Sequence, residues 1–467
     1  MHPTSRQVRA RLFLAAVCFA GSFVPGHAQD TPRPREPKPA ADLWSRDMLT
    51  GDWDGARPAL AARGLTFNFN YVAEALGNFR GGERRLGVYE GRFEMTFEAD
   101  LEKAIRWPGG VFRVTGYQIH GRGLSANALG NLLTASGIEA EQSSRLFTIW
   151  LEQNWANKQV SLRVGQLAAD DEFATSPVAA TFVNSTFGWP GILAANLTSG
   201  GPAYPLAAPG ARLRLQPSDN LLLQAAVFAG DPAGSGSELD PQLRNRSGTR
   251  FSFAGGTFVV AEAALGSDGS WIGGLPGTAK AGFWYHSGGF DDPRFDTLGL
   301  SLADPASSGI ARRRRGNYGG YAVFDQALWR IEGSKERGVD IFLRVGANPS
   351  GRNRVGWYVD TGLVLRGALD ARPADVTGLA FGFARIGDAA RARDRDALSL
   401  AGATTPRRDF EAVLELTYVA LIAPWWTLQP DLQLIFQAGA NAATPRDANR
   451  TVIKDAVVLG MRTTVKF

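Results

Sequence analysis

The ionisable side chains of this sequence recur every second residue. From Tyr89 to Leu101, Glu90, Arg92, Glu94, Thr96, Glu98 and Asp100 fall on one face of an extended strand. Tyr89, Gly91, Phe93, Met95, Phe97, Ala99 and Leu101 fall on the other. Six polar groups in a row cannot line a dry core, because each would lose its hydration unpaired. They need water on their side and an apolar medium opposite. Glu152, Arg163, Arg212, Arg214 and Glu262 sit at equivalent positions of other alternating segments. Mixed acids and guanidiniums both accept and donate hydrogen bonds, which suits neutral hydroxyl-rich solutes; a one-signed row would favour ions.

Catalytic chemistry is poorly supplied. The single cysteine is Cys18, and only His120 and His286 of the four histidines lie beyond residue 28. Disulfides, zinc-thiolate sites and a cysteine nucleophile are excluded there. No HExxH, GxSxG or GxxxxGK[ST] motif occurs, and no metal or cofactor is expected. A hydrolase would rest on His286 beside Ser287, yet neighbours on a strand point to opposite faces. Basic residues number 50, of which 43 are Arg, against 45 acidic. Arg6, Arg9 and Arg11 stand in an acid-free start, so +5 less 3 leaves +2 for residues 29–467, too balanced for a nucleic-acid partner.

Residues 1–28 read as an export signal, with the three Arg, an apolar stretch from Leu12 to Val24 and a small-residue end at Gly26-His27-Ala28. Residues 29–48 form a Pro-rich linker. Residues 49–64 read as a short periplasmic helix capped by Asp52 or Asp54 and ended by Gly64. Residues 65–467 alternate with period two. Sixteen strands are expected, beginning near Leu65, Tyr89, Val111, Leu146, Gln159, Gly210, Leu221, Thr257, Thr278, Tyr318, Val339, Val355, Gly378, Asp409, Trp425 and Ala456. With the helix in the periplasm, the outer connections are long and the inner ones short. Trp107, Trp155, Trp271, Trp329 and Trp425 fall at inner ends as an aromatic girdle. The fold class is therefore all-β: a sixteen-stranded antiparallel transmembrane β-barrel with long outer loops folded inward.

Sixteen strands leave an aqueous lumen. The connection Leu167–Pro209 is the longest and the expected constriction, with His120–Arg145 second. Trp189 and Tyr204 offer flat faces to sugar rings, and Asn184 and Asn196 offer amides to hydroxyls; equally, these residues could pack the loop to the wall. Arg312–Arg315 falls on an expected outer loop, where it could bind lipopolysaccharide phosphates. The closing Arg462-Thr-Thr-Val-Lys-Phe467 alternates to a C-terminal aromatic, read as a signal to outer-membrane assembly machinery.

LTGDWDGAR (49–57), the NFRGG–YEGRFE run (78–94), QIHGRGLSAN (118–127), LFTIWLEQ (146–153), VGQLAADDEF (164–173), FVNSTFGWP (182–190), GGPAYPLAAPGARL (200–213), PWWTLQPDLQ (424–433) and DAVVLGMRTTVKF (455–467) together resemble the carbohydrate-selective outer-membrane porins of the OprB family. The resemblance implies a monomeric barrel in the outer membrane, among lipid and lipopolysaccharide, passing monosaccharides, with glucose the solute of the best-known members. It carries Arg92 and Arg122, with Glu94, onto the constriction. Glucose-selective members have an acid-bearing stretch where this chain has Gln118-Ile-His120, a departure that bears on which sugar passes. A general diffusion porin and a structural or adhesive barrel are the alternative readings.

Overall fold

The computed structural model describes residues 42–236, 239–402, 406–445 and 451–467. The expected export signal and most of the linker lie outside the described residues. Sixteen strands run β1 Leu65–Gly82, β2 Leu86–Asp100, β3 Gly110–Gly121, β4 Ser143–Trp155, β5 Val160–Leu167, β6 Ala208–Ser218, β7 Leu221–Ala229 and β8 Thr257–Ile272. They continue with β9 Leu275–Asp296, β10 Ala311–Arg330, β11 Gly338–Ala347, β12 Val355–Arg366, β13 Val376–Ile386, β14 Phe410–Ala423, β15 Trp426–Phe436 and β16 Lys454–Lys466. Each pairs with its neighbour in sequence, and β1 closes on β16 through Tyr71↔Val465 and Glu74↔Arg462. Because each connection reverses the chain, only an even strand number lets the last lie antiparallel to the first.

The barrel is inside-out relative to a soluble protein. Tyr89, Leu213, Phe283, Leu343 and Leu459 are exposed on its outer surface, while Glu90, Arg212, Glu262, Arg344, Glu411 and Gln433 are buried within. No described helix is long and apolar enough to cross a membrane; the strands supply the apolar band instead.

β9 and β10 are 22 and 20 residues long, about twice the 9–11 residues of a membrane strand. β10 starts at Ala311 rather than near Tyr318, which moves Arg312–Arg315 from a loop into the wall. There Arg313 pairs with Asp291 at 3.0 Å, Arg314 with Asp292 at 2.7 Å, and Arg312 lies over Phe295. Cross-strand pairing neutralises Arg313 and Arg314, half of the run. The helix Asp388–Ala401 leans on this hairpin through Arg294–Asp396.

The N-terminal helix is shorter than its motif suggested, Ala56–Ala62, and its cap is Gly55 at φ 86°, with no side-chain bond from Asp52 or Asp54. Its segment instead staples the barrel seam. Arg57 donates to the Phe467 carbonyl at 2.8 Å and Leu49 N–H to the Lys466 carbonyl at 2.8 Å. Phe467 lies edge-on to Phe93. Trp107, Trp155, Trp271 and Trp329 are exposed at the short-loop end, but Trp425 is buried between Trp44 and Trp426, its indole N–H on the Leu43 carbonyl.

Candidate functional site

Alternation turns the even residues of β2 into the lumen. Arg92 reaches Glu94 at 3.4 Å and sits over the rings of Tyr117 and Tyr204, 4.9 and 5.1 Å from their centroids. Two aromatic faces and one long ion pair hold the guanidinium without consuming all its donors.

The connection 168–207 enters the lumen and is tied to much of the wall. Its Ala174 N–H donates to Glu262, and its Val183 and Asn184 N–H groups donate to Glu415 at 2.6 and 2.9 Å. Arg344, paired with Asp360, donates to the carbonyls of Ala174, Thr186 and Gly188. The connection 122–142 is held similarly, with Leu132 and Leu133 N–H groups on Glu411 at 2.7 and 2.6 Å. Buried wall charges thus satisfy backbone groups that an inward loop would otherwise leave unpaired.

Between this loop and β1, β2, β12–β16 lies a cavity of about 490 Å³. Arg92, Arg366, Arg462, Gln429 and the loop backbone 180–185 line it, with no carboxylate on the lining. Each guanidinium has a carboxylate partner off the lining: Arg92 has Glu94, Arg366 shares Asp340 at 3.2 Å with Arg330, and Arg462 has Glu74 at 2.6 Å.

A second charged group occupies the wall of β4–β6. Glu152 pairs with Arg163 at 2.8 Å and Arg212 at 2.7 Å; both Arg also meet Glu172 from the loop. Arg163 covers the Trp150 ring at 3.9 Å. Beside it, Asp171 is exposed to the lumen, and partial desolvation inside the barrel, then the Asp170 and Glu172 carboxylates, raise its carboxyl to about 7. Burial raises Asp170 to about 6, against the Tyr204 backbone N–H that it accepts.

The candidate residues separate into distinct places. Arg92 and Asn184 line the cavity, while Glu94 holds Arg92. Glu152, Arg163 and Arg212 form the wall network, and Arg214 lies on the same face of β6 as Arg212. Arg122 is exposed where the 122–142 connection begins, away from the cavity lining. Asn196 has both ends of its amide on the Val355 backbone. Asn184 spends its own on Leu133, Gln433 and Thr186. Both therefore clamp the loop rather than face a solute. Tyr204 donates to the Ile138 carbonyl, and Trp189 is half-buried against the loop core. Arg366, Arg462, Glu411 and Glu415 were not singled out as site residues; alternation on their strands was the available signal.

His286 is buried with Nε2 on the Gly230 carbonyl and Nδ1 accepting the Gly288 N–H, while Ser287 Oγ accepts the Thr257 N–H. Neither is free for acid–base work. His120 lies outward with Tyr71 and Tyr89, in space left by the missing side chain of Gly91.

An apolar-outside, polar-inside closed barrel narrowed by an inward loop is a porin. Residues 84–467 match the family described as carbohydrate-selective porin, OprB family, and the chain belongs to that family. Porin B of Pseudomonas aeruginosa is 25% identical over 427 residues, covering 86% of this chain and 89% of Porin B. The putative porin QuiX of Acinetobacter baylyi is 23% identical over 422 residues, covering 85% of this chain and 90% of QuiX. The high-pH structure of Pseudomonas putida OprB has the same fold, with a TM-score of 0.80 at 23% identity over 91% of this chain and 99% of that one. The protein is an outer-membrane channel for carbohydrate diffusion, in a family of porins, which are channels rather than enzymes.

Proposed function

We propose that neutral monosaccharides pass between the inward loop and the wall of β1, β2 and β12–β16, hydrogen-bonded in transit by Arg92, Arg366, Arg462 and Gln429. The observation that carries this reading is the composition of the 490 Å³ cavity: three guanidiniums and an amide on one side, loop backbone on the other. Neutralised guanidiniums keep N–H groups for hydroxyls without trapping an anion. Weak contacts at several groups let a solute enter and leave, as passive flux requires.

In this reading residues 1–28 are a cleaved export signal, the N-terminal segment is periplasmic and the long connections face outward. The barrel works as a monomer in lipid and lipopolysaccharide, with Phe467 read by the assembly machinery. The test is single-channel conductance in a planar bilayer under glucose titration. Saturable block, weakened in Arg92→Ala, supports the reading. A pore indifferent to every monosaccharide replaces it with a general diffusion porin.

A further inference from the structure

The long-loop end carries a second concavity, about 570 Å³ in volume, whose lining shares no residue with that of the sugar passage. Arg244, Arg246 and Arg250 line it with the hydroxyls of Ser143, Ser144, Ser247 and Thr249, and no carboxylate is among the lining residues. We propose that it binds the phosphate group of a phosphorylated saccharide.

Charge balance supports this first. Arg244 meets Asp231 at 3.4 Å and donates to the Gly234 carbonyl and the Ser199 hydroxyl. Arg246 and Arg250 are exposed; Arg246 donates to the Gln142 carbonyl, and Arg250 has no side-chain partner among the described residues. Asp240 and Glu141 are exposed, line no part of the concavity and pair with none of these guanidiniums. One step away, Arg145 is 5% exposed and donates to the Asn245 carbonyl at 3.0 Å. Its Nε and Nη1 are buried without partners. Among the described residues, Arg244 has Asp231 as its carboxylate partner, and Arg145, Arg246 and Arg250 have none. Arg145, behind the lining, is the one of the four that is both buried and without a carboxylate partner among the described residues, a costly state that an anion held in front of it offsets.

The site is also held in shape. Leu146 N–H donates to the Ser247 carbonyl at 2.9 Å, fixing the loop on β4, and Asn245 Oδ1 accepts the Arg250 N–H at 3.2 Å. Gly248 at φ 68° lies where a Cβ would collide with the Leu146 carbonyl, so the loop makes an approach that other residues would not permit. A fixed loop carrying planar, multi-donor guanidiniums matches phosphate better than a solvated charge run does. The group has two sources of the same chemistry, a phosphate of lipopolysaccharide beside the barrel or a free sugar phosphate in the medium.

The test uses the full-length protein in detergent, wild type against Arg246→Ala/Arg250→Ala, neither residue lining the passage. Binding is measured calorimetrically to lipopolysaccharide, to the same material after removal of its phosphates, and to glucose 6-phosphate. Salt-sensitive binding, weakened about tenfold or more in the variant, supports the site. Binding of intact but not dephosphorylated lipopolysaccharide names the membrane source; binding of glucose 6-phosphate alone names the solute. Equal binding by both proteins, equal binding after dephosphorylation without glucose 6-phosphate binding, or no binding by wild type overturns it. Unchanged conductance and heat-modifiable gel mobility report that the variant is folded, and glucose block tests the pore reading separately.

Discussion

Replacing Glu415 by alanine tests whether wall carboxylates set the pore width. Glu415 is fully buried, and its two oxygens accept the Val183 and Asn184 N–H groups at 2.6 and 2.9 Å. Those residues line the sugar passage. A hydrogen bond contributes about 0.5–1.5 kcal/mol net, so losing both removes roughly 1–3 kcal/mol from the attachment of this part of the loop. At about 1.4 kcal/mol per tenfold, the detached fraction rises by about one to two orders of magnitude. Arg344, Glu262 and Asn196 still hold the remainder, so the barrel stays closed while residues 180–185 move. Single-channel recordings should show larger mean conductance, more open-channel noise and weaker glucose block. Glu415→Gln keeps one acceptor oxygen and should fall between. Unchanged conductance and block in folded Glu415→Ala would refute the argument.

Arg92→Ala should raise conductance and weaken sugar block severalfold, whereas Arg122→Ala should leave both near wild type, in paired bilayer recordings. Arg344→Ala leaves Asp360 buried without its partner, a loss of about 3–5 kcal/mol; thermal gel-shift should report a lower unfolding temperature, with increased leak through any folded channel. As pH falls through about 7, Asp171 takes up a proton and the lumen loses a negative charge. Reversal potentials should therefore shift toward anions between pH 8 and 6, and Asp171→Asn should abolish that step.

The strand framework was legible because period two is a local property. Each of β1, β2, β6 and β14 declares its own lumen face, and the even strand count follows from closure. The reach of β10 was not legible, since Arg312–Arg315 looks like a solvated loop until β9 supplies Asp291 and Asp292 across the hairpin. Asn184 and Asn196 illustrate the same limit. An amide near a pore is available to a sugar only if nothing else takes its hydrogen bonds, and the partners Gln433 and Val355 lie 249 and 159 residues away.

The sequence by itself determined that this chain makes a water-filled barrel, because alternating charge and aromatic residues can be satisfied only between lipid and water. Its motifs also carried the family. Tertiary structure alone decided which charges remain open to a solute. Arg92, Arg366 and Arg462 come together from three distant strands only when the barrel closes, and the inward loop meets them only because Glu411, Glu415 and Arg344 satisfy its backbone from the wall. Those pairings depend on long-range register, which no local pattern encodes.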